Sequence, residues 1–566
     1  MNRIVGALAL LLYVLSARGA DAAFETVDGR VTHTAGGWRV RYQLDSPAAQ
    51  LRFIDDFGLR RHARWRVETP GLRVVARGGS EFVERSDRQP FTTVTLRFAS
   101  DLTKLDRKYP LNKAFTDGSE WLCTRLLYAA PVRSSALQSR FSLTFIPAKG
   151  ESIVLDGQRH TEPVRWTDPL GDRGTFVYFG KLAPIETADV IAVVDPGLPA
   201  YLGQQFDVLL PKLFAYYRTH TGYALRTRPV ILITYHPAED LGQGDSGEVL
   251  PNVAAFDFRS GEFWQAPTPR NTRMSFHLLA HEAAHLWNGN RFESVEGNAA
   301  PWMHEGGADA FDWAAARDFG ALDDQSLRNE LEQRLNDCLY QLTTAGTSLA
   351  DAFKREDYEL AYSCGSIINF AIDARLRDRG GLFAFWHALF AKADAAGGRY
   401  SVEQYLATLA ELDRDSAFVD ALREIWTHVR ADPSALLRPL LDASGIGLTP
   451  GTVPPQFERI YADKAISQLM RDDCEGNFSV SFLVDRVELT GLAQCHALKN
   501  RKVAVAAIAG AGISDAMKLY AAVAEQCAGS GEVVAQIANS DETLLLHCSV
   551  PLPQVAPYLA ITNWPR

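Results

Sequence analysis

His281-Glu282-Ala283-Ala284-His285 is the stretch whose reading decides the rest of the chain. On a helix, two histidines four residues apart lie about 40° apart around the axis and roughly 6 Å along it. Both imidazoles can therefore reach one metal ion, and Glu282 projects beside them. That is the His-Glu-x-x-His zinc signature, in which the glutamate polarises a water on the metal. Five residues need their context to confirm them.

A catalytic zinc takes three protein ligands and keeps one position open for water. Downstream, Trp302-Met303-His304-Glu305-Gly306-Gly307-Ala308-Asp309 reads as the start of another helix, and Glu305 is the expected third ligand. Glu293, Glu296 and His304 compete with it. The first two fall in the presumed loop, and His304 would point about 100° away from Glu305 on a helix. His277, one turn before His281, reads as a neighbour of the site, because a further ligand would close the open position. Asp309, one turn after Glu305, is either a carboxylate partner of a zinc histidine or an exposed helix acid.

The chain of 566 residues is too long for one core and predicts three or four domains. Its 47% hydrophobic and 22% charged residues are those of an ordinary globular protein. A formal net charge of −10 and the lack of a long basic run argue against a nucleic-acid partner. Met1-Asn2-Arg3 is basic, Ile4 to Ser16 is apolar, and Ala20-Asp21-Ala22 is a small-x-small cleavage site, so residues 1–22 read as a secretory signal peptide. No stretch after it is long and apolar enough to predict a membrane span. An exported chain, periplasmic or secreted, places the seven cysteines in an oxidising compartment. Their spacings fit no zinc finger, so disulfides are expected, with Cys123 left over as a buried thiol.

Residues 23–190 alternate apolar and polar, as in Trp38, Val40, Tyr42, Leu44 and again Thr92, Val94, Leu96, Phe98, which predicts an antiparallel β-domain. From about 191 the pattern turns helical. Phe206, Leu209, Leu210, Leu213 and Tyr217 share a face, with Pro211 expected to kink or restart the helix. Val230 to Tyr235 reads as a strand, Gly242 to Gly247 as a Gly-rich polar stretch, and Thr272 to Asn288 as the motif helix, stopped by Gly289-Asn290. Residues 305 to about 445 are mostly helical in pattern. Leu448-Thr449-Pro450-Gly451-Thr452-Val453-Pro454-Pro455 reads as a linker, assigned to 448–460. Residues 461–566 predict a small α+β domain, with Ser514 capping a helix to Cys527 and a hairpin turn at Asn539-Ser540-Asp541.

His281, Glu282, His285, Trp287, Gly289 and Asn290, followed by Glu305-Gly306, resemble the gluzincin metallopeptidases of the aminopeptidase N and glycyl aminopeptidase type. The resemblance implies a thermolysin-like catalytic domain over 191–447, one zinc ion held by His281, His285 and Glu305, and Glu282 as general base. The 19 residues between His285 and Glu305 are about one more than the usual spacing, which a loop absorbs. Tyr362-Ser363-Cys364-Gly365 resembles the family's Tyr-x-x-Gly segment, whose tyrosine stabilises the oxyanion; Tyr358, one turn earlier, is the alternative. The family's amine-binding strand, Gly-x-Met-Glu-Asn, is not intact in Gly244 to Asn252, where Glu248 is the counterpart of its glutamate. The C-terminal segment resembles a degenerate PDZ domain, whose carboxylate-binding loop would be Glu475-Gly476-Asn477-Phe478.

The expectation is a multidomain α+β, exported zinc metallopeptidase acting on a peptide or protein substrate, with aminopeptidase action as one option. Nothing in the sequence selects an oligomeric state. The competing reading is a non-catalytic, zinc-stabilised peptide-binding protein of the cell envelope. A third is zinc-water hydrolysis of other amides or of epoxides.

Overall fold

Alternation along Gly37–Ala48 buries Trp38, Val40, Tyr42 and Leu44 while Arg39, Arg41 and Gln43 face outward, as the sequence pattern requires. The computed structural model of the chain describes residues 24–563 apart from 35, 56–59, 101–109, 133–137, 170, 172, 238–243, 260, 355–357, 414, 431, 475–477, 484, 492–493 and 554–556. The expected signal peptide, and Glu475 to Asn477 of the expected peptide-binding loop, lie outside the described residues.

The chain divides into two units. The first comprises the described residues up to Leu105 with Cys123–Ile153 and His160–Thr175. It holds a six-stranded sheet built around Phe24–Thr34, Gly37–Ala48 and Phe91–Phe98, and a four-stranded sheet built around Gln50–Phe53 and Ser80–Arg85. One pairing departs from the antiparallel expectation: Phe24–Thr34 runs parallel to Gln138–Ile146. Alternation records which face is buried and carries no information on strand direction. Residues 110–122, 154–159 and 176–190, expected in this domain, group with the second unit, where Asn112–Ala114, Glu120–Cys123 (all but its last residue) and Phe176–Gly180 sit side by side in another sheet.

The second unit carries the motif. A five-stranded sheet runs Ile185–Glu186, Ile191–Val194, Val230–His236, Val253–Arg259, Gly244–Leu250 in spatial order. Its three central strands are parallel, and Gly244–Leu250 lies antiparallel at one edge. The stretch expected to be a Gly-rich polar segment is thus, from Gly244 on, this edge strand. Helix Ala200–Thr221 is continuous through Pro211. Proline in a helix interior costs about 3 kcal/mol through the lost hydrogen bond and the clash of its ring with the preceding turn, whereas each fully buried Leu or Phe of the apolar face contributes roughly 1.5–3 kcal/mol. With Leu202, Phe206, Leu209, Leu210, Leu213, Phe214 and Tyr217 all buried, packing wins.

The motif helix spans Pro269–His285. Thr268 caps it by accepting from the Asn271 N–H, and Pro269 occupies the first turn, where no N–H is needed. The α-helical ladder gives way to a π-turn over Leu286–Arg291, earlier than the expected end at Asn288. Phe276, Leu279, Ala280, Ala283 and Ala284 face the core. Helices Trp302–Asp318, Asp324–Ala345, Glu359–Arg375 and Gly381–Ala395 follow.

The stretch read as a linker is structured. Gly447–Gly451 pairs with Tyr558–Asn563, and helix Pro455–Cys474 begins directly after it. Buried Glu332 accepts from the Tyr558 hydroxyl at 2.8 Å and the Ile561 N–H at 2.9 Å, tying the last strand to helix Asp324–Ala345. A Pro/Gly-rich composition could not disclose a strand partner a hundred residues away. The remaining C-terminal residues form an antiparallel sheet, Phe478–Phe482 to Thr543–His547, with helix Ala516–Gly529 capped by Asp515, one residue beyond the expected Ser514. Three disulfides join Cys338 to Cys364, Cys474 to Cys495 and Cys527 to Cys548, and Cys123 is a buried thiol.

Two glycines set the closest helix approach in this unit. A Cβ on Gly306 would lie 2.1 Å from the Gly365 carbonyl carbon, and one on Gly365 would lie 2.6 Å from the Trp302 carbonyl oxygen. Gly306→Ala is therefore expected to push apart helices Trp302–Asp318 and Glu359–Arg375 at a cost of about 2–3 kcal/mol. Urea unfolding of the variant beside the wild type measures it.

Candidate metal centre

The motif helix places His281 and His285 one turn apart, and their Nε2 atoms lie 3.1 Å from each other. Glu305, on the first turn of helix Trp302–Asp318, brings Oε2 to 3.2 Å from each of them. Of the four candidate third ligands, Glu305 is the one whose carboxylate converges with both imidazoles. Glu296 instead accepts from the Ser294 hydroxyl and the Val402 N–H, bracing its own loop. Glu293 sits on the short strand Glu293–Ser294, paired with Arg399–Tyr400. His304 stands beside the cluster, with Nε2 3.4 Å from Glu305 Oε1.

The far side of each imidazole settles its tautomer. Asp309 Oδ1 accepts from His281 Nδ1 at 2.8 Å. Asn288 Nδ2 donates to the His304 carbonyl at 2.8 Å, which turns its Oδ1 toward His285 Nδ1 at 3.2 Å. With both Nδ1 atoms donating, both Nε2 atoms face the Glu305 carboxylate, and in the neutral imidazoles they present lone pairs there. Three acceptors 3.1–3.2 Å apart match three corners of a tetrahedron around an ion bonded at about 2.0 Å, for which the edge is about 3.3 Å. The donor set is the nitrogen and oxygen mixture that suits zinc.

Electrostatics favour positive charge at this spot. Burial opposes ionisation of Glu305, yet the imidazoles of His285, His281 and His304 hold its carboxyl well below the usual carboxylate range. Burial likewise opposes a charge on His281, but the Asp309 and Glu305 carboxylates raise its pKa well above the ordinary histidine value. Asp309 is fully buried, and burial works against its charge. The Arg334 guanidinium, 3.1 Å away, and His281 nevertheless keep it ionised well below the usual range. Asp309 is thus the carboxylate partner of His281. His277 bonds through Nδ1 to Asp312 at 2.8 Å and lies outside the triangle of donors.

Glu282 faces the edge strand. A Cβ on Gly247 would fall 2.4 Å from Glu282 Cγ, so the absence of a side chain there lets strand and glutamate meet. Asn290 Nδ2 donates to the Leu250 carbonyl at 3.2 Å and ties the end of the motif to the same strand. Because strand side chains alternate, Glu248 points to the opposite face from Gly247. On the other flank, the Tyr362 ring centroid is 6.0 Å from that of His281, and the ring is 39% exposed. Its hydroxyl end lies among carboxylates: burial of that end, then Glu305, Glu282 and Asp309, raise its pKa, so it remains a phenol able to donate. Tyr358 packs against the core instead.

Sequence reading singled out Glu282, Tyr362, His281, His285, Glu305 and Asp309, and all six meet here. It missed Asn288, Ser366 and Arg334. The Ser366 hydroxyl donates to Asp309 Oδ2 at 2.6 Å and also contacts the Tyr362 carbonyl. Asn288, three residues after His285, had the helical spacing to be suspected. Arg334 carried no local signal.

No protein-family model matches the chain, and no curated protein matches it by sequence. Among solved structures, an aminopeptidase N family protein from Idiomarina loihiensis is similar over 95% of this chain and 98% of that chain, at 15% identity and a TM-score of 0.59. The chain shares that protein's fold. Yeast leukotriene A4 hydrolase is also similar, over 80% of this chain and 73% of that chain, at 14% identity and a TM-score of 0.45.

Asp309→Asn is expected to weaken retention of a divalent ion by 10- to 100-fold, roughly, because it replaces the charged acceptor that orients His281 with a weaker, neutral one. Competition with a chromogenic chelator measures it. Gly247→Ala should displace the Glu282 carboxylate while leaving ion retention unchanged in the same assay.

Proposed function

We propose that the chain is an exported zinc metallopeptidase that hydrolyses peptide bonds. The observation that carries this reading is the convergence of His281 Nε2, His285 Nε2 and Glu305 Oε2 at mutual distances of 3.1–3.2 Å, with Glu282 beside them. A purely structural zinc is enclosed by four protein ligands. Here three donors converge among the described residues, and the half-exposed Tyr362 stands at the rim. That arrangement favours catalysis over the zinc-stabilised binding protein, for which Glu282 and Tyr362 have no use.

His281, His285 and Glu305 would hold the zinc, oriented by Asp309 and Asn288. When bound, zinc supplies Lewis acidity, lowering the pKa of a coordinated water to about 7 and polarising the scissile carbonyl. Glu282 accepts the proton of the attacking water and returns it to the leaving amine. Tyr362 donates its hydroxyl to the oxygen that becomes negative in the transition state. The substrate lies along edge strand Gly244–Leu250, whose outer backbone groups can pair with an extended peptide.

The likeness of fold to an aminopeptidase N family protein supports a peptide substrate; trimming from the amino end is the finer proposal, and Glu248, on the strand face opposite Gly247, is not assigned the amine. Three disulfides support an oxidising, exported setting, and among the described residues no helix is long and apolar enough to cross a membrane. We read 461–566 as a PDZ-like accessory domain after a catalytic domain over 191–447.

Purified protein and its Glu282→Gln variant, each loaded with one zinc, should be incubated with a mixed peptide library and read by mass spectrometry. The wild type is expected to cut in a chelator-sensitive way, at chain ends if the finer proposal holds. Glu282→Gln should keep its zinc and lose about 10³-fold or more in rate. Equal turnover by both proteins at full zinc loading would overturn the mechanism.

A further inference from the structure

Tyr362 is the fourth residue of helix Glu359–Arg375, whose first residue, Glu359, accepts from Gln341 of helix Asp324–Ala345 at 2.7 Å. The N-cap of the tyrosine's helix, Tyr358, makes no side-chain hydrogen bond to the first turn. An oxyanion donor must nevertheless sit within a few tenths of an ångström of its target, because misplacement by about 1 Å can cost about 100-fold in rate. A hydrogen bond between exposed side chains is too compliant to set that position by itself.

Cys364, two residues after Tyr362, is bonded to Cys338 on helix Asp324–Ala345. Both cysteines are fully buried. One turn before Cys338, the same helix presents Arg334, which reaches Asp309 Oδ2 at 3.1 Å. Helix Asp324–Ala345 therefore touches the site's surroundings at two successive turns, through an ion pair to the histidine's partner and through a covalent bond to the tyrosine's turn. On the opposite side, Gly365 abuts Gly306, the residue after Glu305. The turn bearing Tyr362 is thus gripped between the glutamate helix and a disulfide.

We propose that the Cys338–Cys364 disulfide is a positioning element of the reaction, holding the Tyr362 hydroxyl beside Glu305 and His281. The inference rests on the reading of Tyr362 as the oxyanion donor. It assigns the disulfide a role beyond stability, since the covalent bond fixes the tyrosine relative to helices that carry or orient the zinc ligands.

The test is a double-mutant cycle on the zinc-loaded full chain. Cys338→Ala/Cys364→Ala removes the bond, and Cys338→Val/Cys364→Ala removes it while refilling the space. Each is made with Tyr362 and with Tyr362→Phe, and Cys527→Ala/Cys548→Ala serves as control. The control loop has a sequence separation of 21 against 26, so the two disulfides remove similar unfolded-state entropy and their loss should lower stability alike. Tyr362→Phe alone is expected to lower kcat by about 10²–10³-fold. Loss of the Cys338–Cys364 bond should lower kcat by about 10- to 100-fold with KM and zinc content nearly unchanged. In the Tyr362→Phe background the same loss should cost less than about threefold, the signature of coupled positions.

An unchanged kcat without the bond overturns the inference, as do equal losses in both tyrosine backgrounds or the same loss in the Cys527/Cys548 control. If neither bond-free variant folds, the cross-link is a stability element and the inference falls. A Tyr362→Phe enzyme with wild-type kcat fails differently: it removes the tyrosine's role first, and with it the reason for positioning.

Discussion

Three lone pairs aimed at one point repel one another unless a cation stands between them. His281 and His285 are oriented with Nε2 toward Glu305 by partners on their far sides: Asp309 behind one imidazole and Asn288 behind the other. The rest of the unit can be understood as the means of bearing this electrostatic load. Arg334 and His281 keep Asp309 ionised in its fully buried position, and the Ser366 hydroxyl donates to its second oxygen. Helices Asp324–Ala345 and Glu359–Arg375, neither of which supplies a ligand, are thereby drawn into the site.

Close packing supplies the remaining geometry. Glu305 and Tyr362 come from helices that approach at Gly306 and Gly365, where no side chain on either residue could be accommodated. The same economy of size operates at Gly247, which admits Glu282 against the edge strand. Glycine here serves close approach rather than turning, since none of the three has a positive φ. The motif helix, the glutamate helix, the tyrosine helix and the edge strand are thus registered by contacts too short to tolerate a methyl group.

Several elements were legible beforehand because their signals are local. Helical spacing placed His281 and His285 on one face, and alternation marked the strands of the first unit. Other expectations missed by the amount that tertiary context could shift them. Pro211 stays inside a helix because its apolar face is buried, and the 448–460 segment is ordered because Tyr558–Asn563 returns to pair with it. The parallel pairing of Phe24–Thr34 with Gln138–Ile146 left no trace in a pattern that is the same for either direction.

The sequence by itself determined the histidine pair on one helix face, the neighbouring glutamate, the β-then-helical order of the chain and the oxidised character of most of its cysteines. Each of these is encoded within a few residues or in composition. Only the tertiary structure brought Glu305, and not Glu293, Glu296 or His304, against both imidazoles, set Tyr362 beside His281 while Tyr358 packs on the core, and paired Cys338 with Cys364. Those choices depend on how one helix lies against another. That is fixed by shapes meeting across the core, such as Gly306 on Gly365, and no period read along a single segment contains it.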